Sequence, residues 1–520
     1  MAEQNITEEF EYPKNPWLPA SAVLLAVFIF VLDGTIANVA LPHMAGSFSV
    51  TRDESIWILT SYLIASGIVI PAVDWFSKVF GRKNFFIISI LLFTIASMLC
   101  GLANSLLTMV LARILQGFGG GGIVPISQAI MLESFPKKER GKAMAVFGMG
   151  IIIAPIIGPV LGGWITDNWS WPWIYFINVP FGCIAAIMCK KFLTDPPYAK
   201  RQKDVKIDGL GFFLLMIWIM CLQIVLDKGN NADWFNAPWV CWMFGLSCLS
   251  GILFFISQIK RKDTLIDLSV FKDMNFLAGT AIQVVIQGVL YASIAILPQF
   301  LQSMMGYTAF LSGYSMMPRG LGSLLAMIIV ANISNKVSNR LLVMIGLSLI
   351  GSGGLALGFL NLQIASINIM IPNFMMGLGM GLAMVPIINL SVDTLRNDQM
   401  TNASGIQNLL KTIGGAIGTS LVATMLSRFA QIHQYMMVGN LSELNPAYIE
   451  RLQNTAAALS KFTEYTVANY MSQTTLYKQL IQQSTLWAFI DSFRIFGLLC
   501  FIIIPLLLFI KSNKSLYEKK

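Results

Sequence analysis

Charge is scarce in this sequence: Asp, Glu, Lys and Arg make up 12% of its 520 residues, about half the share found in a soluble globular chain. Water therefore cannot be the only solvent around the folded protein. Histidine is nearly absent, with His43 and His433 the two present, and the seven cysteines contain no Cys-x-x-Cys pair. Metal-ligand spacings and a disulfide framework are both missing, so no metal, cofactor or cystine scaffold is expected. Nor does the chain hold a sizeable soluble domain, or a grouping of nucleophile, base and orienting acid, and a membrane-embedded enzyme or receptor is the weaker reading. The leader before Trp17 is acidic and polar, without a basic segment or small-residue cleavage site, so no cleaved signal is expected. The net charge of +9 does not point to nucleic acid, because the basic residues fall in short loops and not on one folded face.

What the sequence has is apolar length, with 56% hydrophobic residues. Runs of about twenty nearly uncharged residues recur throughout, each long enough to cross a hydrocarbon core of about 30 Å as a helix. They lack the alternation of barrel strands, and a helix satisfies its own backbone in lipid. The expected spans are Trp17–Leu41, Ile56–Phe76, Phe85–Ala103, Leu107–Met131, Ala143–Ile165, Trp173–Phe192, Leu210–Leu226, Trp239–Ile259, Phe276–Met304, Phe310–Ile333, Leu341–Leu360, Ile364–Ile388, Ala403–Leu426 and Leu486–Ile510. The fold class is thus an all-α polytopic membrane protein with fourteen spans. Placing both termini in the cytoplasm puts roughly 25 Lys and Arg in cytoplasmic segments against about six outside.

Two echoes divide the chain. Lys78-Val79-Phe80-Gly81-Arg82 returns as Lys336-Val337-Ser338-Asn339-Arg340, and Gly117, Gly119 and Gly121 return as Gly377, Gly379 and Gly381. They set the first six spans in register with the last six, as parallel repeats about an axis normal to the membrane. Residues 1–192 are expected to form the first lobe, 193–272 a linker with two inserted spans, and 273–520 the second lobe, including an extracytoplasmic loop over 428–484. A substrate path between the lobes follows.

Asp33 interrupts the first span and Arg113 the fourth, at similar depth. An isolated carboxylate in a membrane is costly, and one that can bind and release a proton as a cavity opens to either side is a coupling device; the competing reading is a packing carboxylate tied to a neighbour. Arg113 can balance that carboxylate or a substrate anion, against a purely architectural pairing. The glycines after Arg113 permit close helix contact and do not form a phosphate loop, since neither a strand nor Gly-Lys-Ser/Thr flanks them. On the fifth span, Pro155, Gly158, Pro159, Gly162 and Gly163 suggest a bent, tightly packed helix at the seam where the lobes rock. Neutral groups that can line a wet cavity are Asn38, Gln116, Gln128, Gln283, Gln287 and Gln407, although such amides more often make interhelical bonds. Arg319, Lys411 and the pair Asp491/Arg494 are further intramembrane charges, of which Arg319 is the cavity candidate.

Asp33 through Pro42, Arg113 with its glycines, Gly158-Pro159 with Gly162-Gly163, and Trp171-Pro172-Trp173-Ile174-Tyr175-Phe176-Ile177-Asn178-Val179-Pro180 resemble motifs of the major facilitator superfamily. More narrowly, the chain resembles its fourteen-helix drug:proton antiporters of the EmrB/QacA type. That resemblance implies two six-helix lobes, outward transport of hydrophobic or amphipathic drugs against protons, and residence in a cytoplasmic (inner) membrane. Export of one metabolite, peptide or siderophore is the alternative. The loop after the second span departs from the family pattern: Asp74 and Lys78 precede Gly81-Arg82, so a cytoplasmic latch from Asp74, Gly81 and Arg82 stands beside the plainer reading of inside-positive charge.

Between Arg428 and Ser484, Ile449, Leu452, Ala456 and Leu459 recur at helical spacing. An amphipathic helix is expected, its stripe covered by the transporter's own outer surface or hairpin. The resemblance implies instead a periplasmic adaptor like EmrA, leading to an outer-membrane channel. Lipid, protons and a small-molecule substrate complete the expected partners.

Overall fold

The computed structural model describes residues 15–510 apart from 56, 137–138, 196–207, 261–265, 308, 334–336, 397–398 and 443. Lys336 of the loop echo lies outside the described residues, as do the side chains of Asn38 and Pro159. Among the described residues, thirteen helices are long and apolar enough to cross a membrane, and Arg140–Asn168 adds a further helix of 29 residues. In chain order they are α1 (Trp17–Phe48), α2 (Trp57–Phe80), α3 (Arg82–Gly101), α4 (Leu106–Ser134), α5 (Arg140–Asn168), α6 (Trp173–Phe192) and α7 (Gly209–Lys228). Then follow α8 (Pro238–Lys260), α9 (Met274–Gln299), α10 (Ala309–Ile333), α11 (Asn339–Leu357), α12 (Ile367–Val392), α13 (Met400–Val438) and α14 (Tyr465–Ile502).

Local chemistry starts several of these helices. Ser105 and Thr108 form a reciprocal capping box at α4, while Asp208, Asp273 and Ser338 accept from the first turns of α7, α9 and α11. Gly81 turns the chain between α2 and α3 at φ 81°, which a side chain there would resist. Proline lies inside α1, α9, α10 and α12, as neighbouring helices in a membrane allow.

The helices pack as two bundles built alike. In the first, Gly117 and Gly121 of α4 face α2, where a Cβ would lie 2.5 Å from Tyr62 O and 2.6 Å from Ser66 O, and Gly119 faces Phe93 of α3. In the second, Gly377 and Gly381 of α12 face Arg319 and Ser323 of α10, and Gly379 faces Gly346 of α11. Each fourth helix is thus wedged between the second and third of its lobe at distances only glycine permits. The first and fifth helices match in the same way: Gly158 and Gly162 of α5 meet Thr35 and Ile36 of α1, and Gly414 and Gly418 of α13 meet Val284 and Gly288 of α9. The inserted pair α7 and α8 pack on each other, with α7 also against α2 and α13.

The lobes touch through the halves nearest the chain termini. Gln128 donates to Gln407 Oε1 at 3.2 Å and accepts from Asn408 at 3.1 Å. Gly148 of α5 abuts Met327 of α10, and Gly405 of α13 abuts Ile70 of α2.

Residues 428–484, expected as a loop, are largely helical. α13 runs 39 residues and α14 runs 38, about 58 Å each at 1.5 Å per residue, well beyond the roughly 30 Å of hydrocarbon. Their polar extensions project past the membrane as a hairpin, and the helix Pro446–Leu459 lies against α14 with Ala456 buried and Arg451 donating to Gln479.

Candidate functional site

The site grows from the close approach of α4 to α2. One turn before Gly117, Arg113 leaves the same face of α4, and its Nε donates to Ile58 O on α2 at 3.0 Å. Its guanidinium lies 4.2 Å from the centre of the Tyr62 ring and 5.6 Å from that of Tyr175. Nη1 donates to Gln116 Oε1 at 2.8 Å and to Asp33 Oδ2 of α1 at 2.7 Å. The other carboxylate oxygen, Oδ1, accepts from Gln116 Nε2 at 2.9 Å and from Asn178 Nδ2 of α6 at 2.8 Å. Asn178 also donates to Ser97 Oγ of α3 at 3.0 Å, and Ser97 donates to Tyr175 O.

Both charged side chains are fully enclosed, at 0% exposure. Removing two ions from water is offset only where the geometry is close and the remaining lone pairs are satisfied. Here Asp33 accepts three hydrogen bonds, and five of the lobe's six helices supply a side chain or carbonyl to the cluster. The remaining helix, α5, backs α1 beside Asp33, with Gly158 at Thr35 and Gly162 at Ile36. Taking away the charge of either side chain would leave the other buried without its counter-ion. The first lobe's packing is therefore tied to this one ion pair.

The Major Facilitator Superfamily model matches residues 23–419. The chain belongs to that superfamily. It is 33% identical over 430 residues to the multidrug export protein EmrB of Haemophilus influenzae, covering 82% of this chain and 83% of that protein. It is also 33% identical over 435 residues to the probable multidrug resistance protein EmrY of Escherichia coli strain K12, with 83% and 84% covered. Among solved structures, the human organic anion transporter MFSD10 superposes with a TM-score of 0.61 at 14% identity, covering 95% of this chain and 100% of that one. That likeness supports the fold alone. As a member of the superfamily the chain is a multi-pass membrane transporter and carries the EmrB-like pattern expected of it.

Within this transporter fold the other expected residues take varied places. Gln116 belongs to the acid cluster. Gln128 and Gln407 sit at the contact between lobes, and Gln407 and Gln283 both donate to Ser391 Oγ, at 2.7 and 3.3 Å. All three are buried; with the lobes closed on this side, Gln128 bonds Gln407 across the lobes, and Gln283 shares Ser391 with Gln407 while its own Oε1 has no partner among the described residues. Gln287 is partly buried, one turn before Tyr291 on α9. Arg319 is buried, donating to Ser293 Oγ at 2.9 Å. In the expected latch, Asp74 pairs with Lys78 at 2.6 Å and Arg82 with Glu133 of α4 at 2.5 Å, while Gly81 supplies the turn. Asp491 pairs more closely with His433, at 2.8 Å, than with Arg494, at 3.8 Å.

Tyr62, Ser97, Asn178 and Glu133 were not singled out as site residues from the sequence. Glu133 had a usable signal, an acid ending an apolar run whose lobe carries Arg82 at the same membrane boundary.

Proposed function

We propose that this transporter exports hydrophobic or amphipathic drugs across a cytoplasmic membrane in exchange for inward-moving protons, with both termini in the cytoplasm. The observation that carries the coupling is the buried Asp33–Arg113 pair with Gln116 and Asn178 converging on the same carboxylate. The similarity to one protein named for multidrug export and to another named as a probable multidrug resistance protein supports the direction and substrate class, and the bias of Lys and Arg to the terminus-side loops supports the orientation.

In this reading Asp33 is the proton carrier. With the lobes joined on the cytoplasmic side through Gln128, Gln407 and Asn408, the route between them faces outward, where substrate leaves and a proton reaches Asp33. Protonation frees Arg113 from its counter-charge, and its donors fall back on Gln116 and Ile58 O. The first lobe relaxes around α1 and α4, the small-residue seam between α1 and α5 permits the shift, and the cytoplasmic contacts part. Release of the proton inward restores the pair, and new substrate resets the cycle. Outside the membrane, the hairpin of α13 and α14 bears exposed Tyr435, Tyr470 and, at its far turn, Phe462, a surface suited to an EmrA-like adaptor that continues the route to an outer-membrane channel.

Inverted vesicles carrying the protein test the proposal. An acid interior should drive dye or drug uptake, and an ionophore that collapses the gradient should stop it. Uptake indifferent to the gradient overturns proton coupling.

A further inference from the structure

Arg319 is also an enclosed guanidinium, 7% exposed, and among the described residues it has no ion pair. Its Nη1 donates to Ser293 Oγ at 2.9 Å, Nη2 stands 3.5 Å from Met376 Sδ, and Nε has no hydrogen-bond partner. It lines a small cavity with Ile286, Leu290, Ser293, Met376 and Met380. The relation between the lobes explains the oddity. The step that carries Gly117 onto Gly377 carries Arg113 onto Asn373, so the second lobe's fourth helix has a neutral amide where the first lobe has its cation. Gly117 faces Tyr62 O and Gly377 faces Arg319 O, so Arg319 holds the place of Tyr62. The second lobe's cation thus stands on its second helix and bonds a hydroxyl, Ser293 of its first helix, whereas Arg113 of the first lobe bonds an acid, Asp33 of its first helix.

A buried cation with neutral partners is costly, and an anion drawn into the cavity removes that cost. Nε and Nη2 form one edge of the guanidinium, the edge that grips a carboxylate through two parallel N–H···O bonds. On that edge stand a thioether and an unused donor. We propose that this cavity binds a singly charged anionic group, and that during export it takes the carboxylate of an amphiphilic substrate whose alkyl chain lies along Ile286, Leu290 and Met380. The substrate class rests on the export reading above.

The test uses the purified full chain in detergent and measures binding of decanoate and decanol in chloride-free sulfate buffer, beside a sodium chloride titration. Decanoate should bind the unaltered protein at least about tenfold more tightly than decanol, as expected for a two-point charged contact. Arg319→Gln should erase the difference. Ser293→Asp, which gives Arg319 an internal counter-ion and so favours folding, should also abolish decanoate binding. Stabilisation by chloride that Arg319→Gln removes, with decanoate no better than decanol, upholds the anion site but assigns it to a free halide. Equal decanoate binding by folded wild-type and Ser293→Asp protein, with no chloride effect, overturns the proposal. Binding needs no gradient, so failure here leaves the Asp33 reading to its own vesicle assay.

Discussion

Asn178 donates from one amide nitrogen to both Asp33 Oδ1 and Ser97 Oγ, tying α6 to α1 and α3 at the buried acid of the first lobe. Asn178→Ala removes a donor from the carboxylate without touching Arg113. It should slow gradient-driven uptake and change the shape of its pH profile, whereas a variant that only loosens packing lowers the rate equally at every pH. An unchanged pH profile would make Asn178 structural.

Asp33→Asn should fold, since Gln116 and Asn178 still find an oxygen, and should lose gradient-driven transport. Each single change strands one buried ion, the guanidinium in Asp33→Asn and the carboxylate in Arg113→Leu; breaking one side of such a pair costs about 3–5 kcal/mol. The double variant Asp33→Asn/Arg113→Leu should recover much of that stability, a non-additive result readable in melting curves of the purified proteins. Arg113→Lys should keep part of the transport, as charge survives without the guanidinium fork. Strictly additive melting shifts would show that the two residues do not act as a pair.

How much of this was legible in the sequence depends on what each residue costs. Asp33 and Arg113 could be found because a charge in an apolar run demands an explanation. Gln283 and Gln407 could not be placed, because an amide is equally at home beside water or beside another amide, and only the closed lobes decide. Asn178 begins the helical stretch Asn178–Phe192, where an amide reads as a turn residue. The ends of α13 and α14 were missed because hydropathy reports lipid contact, and helix continues past it through polar residues such as Gln431, Gln434, Gln473 and Gln479. The glycine echo carried further, since the same spacing performs the same packing in both lobes.

That packing is directly testable. A Cβ on Gly377 would lie 1.9 Å from Arg319 O, and one on Gly117 2.5 Å from Tyr62 O, both against backbone that cannot rotate away. Gly377→Ala and Gly117→Ala should each destabilise by about 1–3 kcal/mol, the usual cost of overpacking. Gly313→Ala, whose Cβ meets nothing within 4 Å, is the matched control and should melt at or slightly above the wild-type temperature. Equal melting of all three would mean that α12 and α10 do not pack this closely.

The hairpin beyond the membrane separates two roles that the sequence left joined. Leu452 and Leu459 lie on the face of the helix Pro446–Leu459 that carries buried Ala456 and packs on α14. Leu452→Asp with Leu459→Asp should therefore unseat that helix, detected as faster proteolysis within 440–465, while α13 and α14 keep their membrane halves and vesicle transport continues. Tyr435, Tyr470 and Phe462 are exposed and hold up none of this packing. Replacing all three by Ser should leave proteolysis and vesicle transport unchanged, yet abolish co-purification of an EmrA-like adaptor and the resistance of intact cells. Because isolated vesicles need no route beyond the membrane, only the adaptor reading expects transport and resistance to part in this way. Adaptor capture and resistance that survive the three substitutions would show that the exposed aromatics are not the docking surface, and loss of vesicle transport would place the hairpin within the carrier's own cycle.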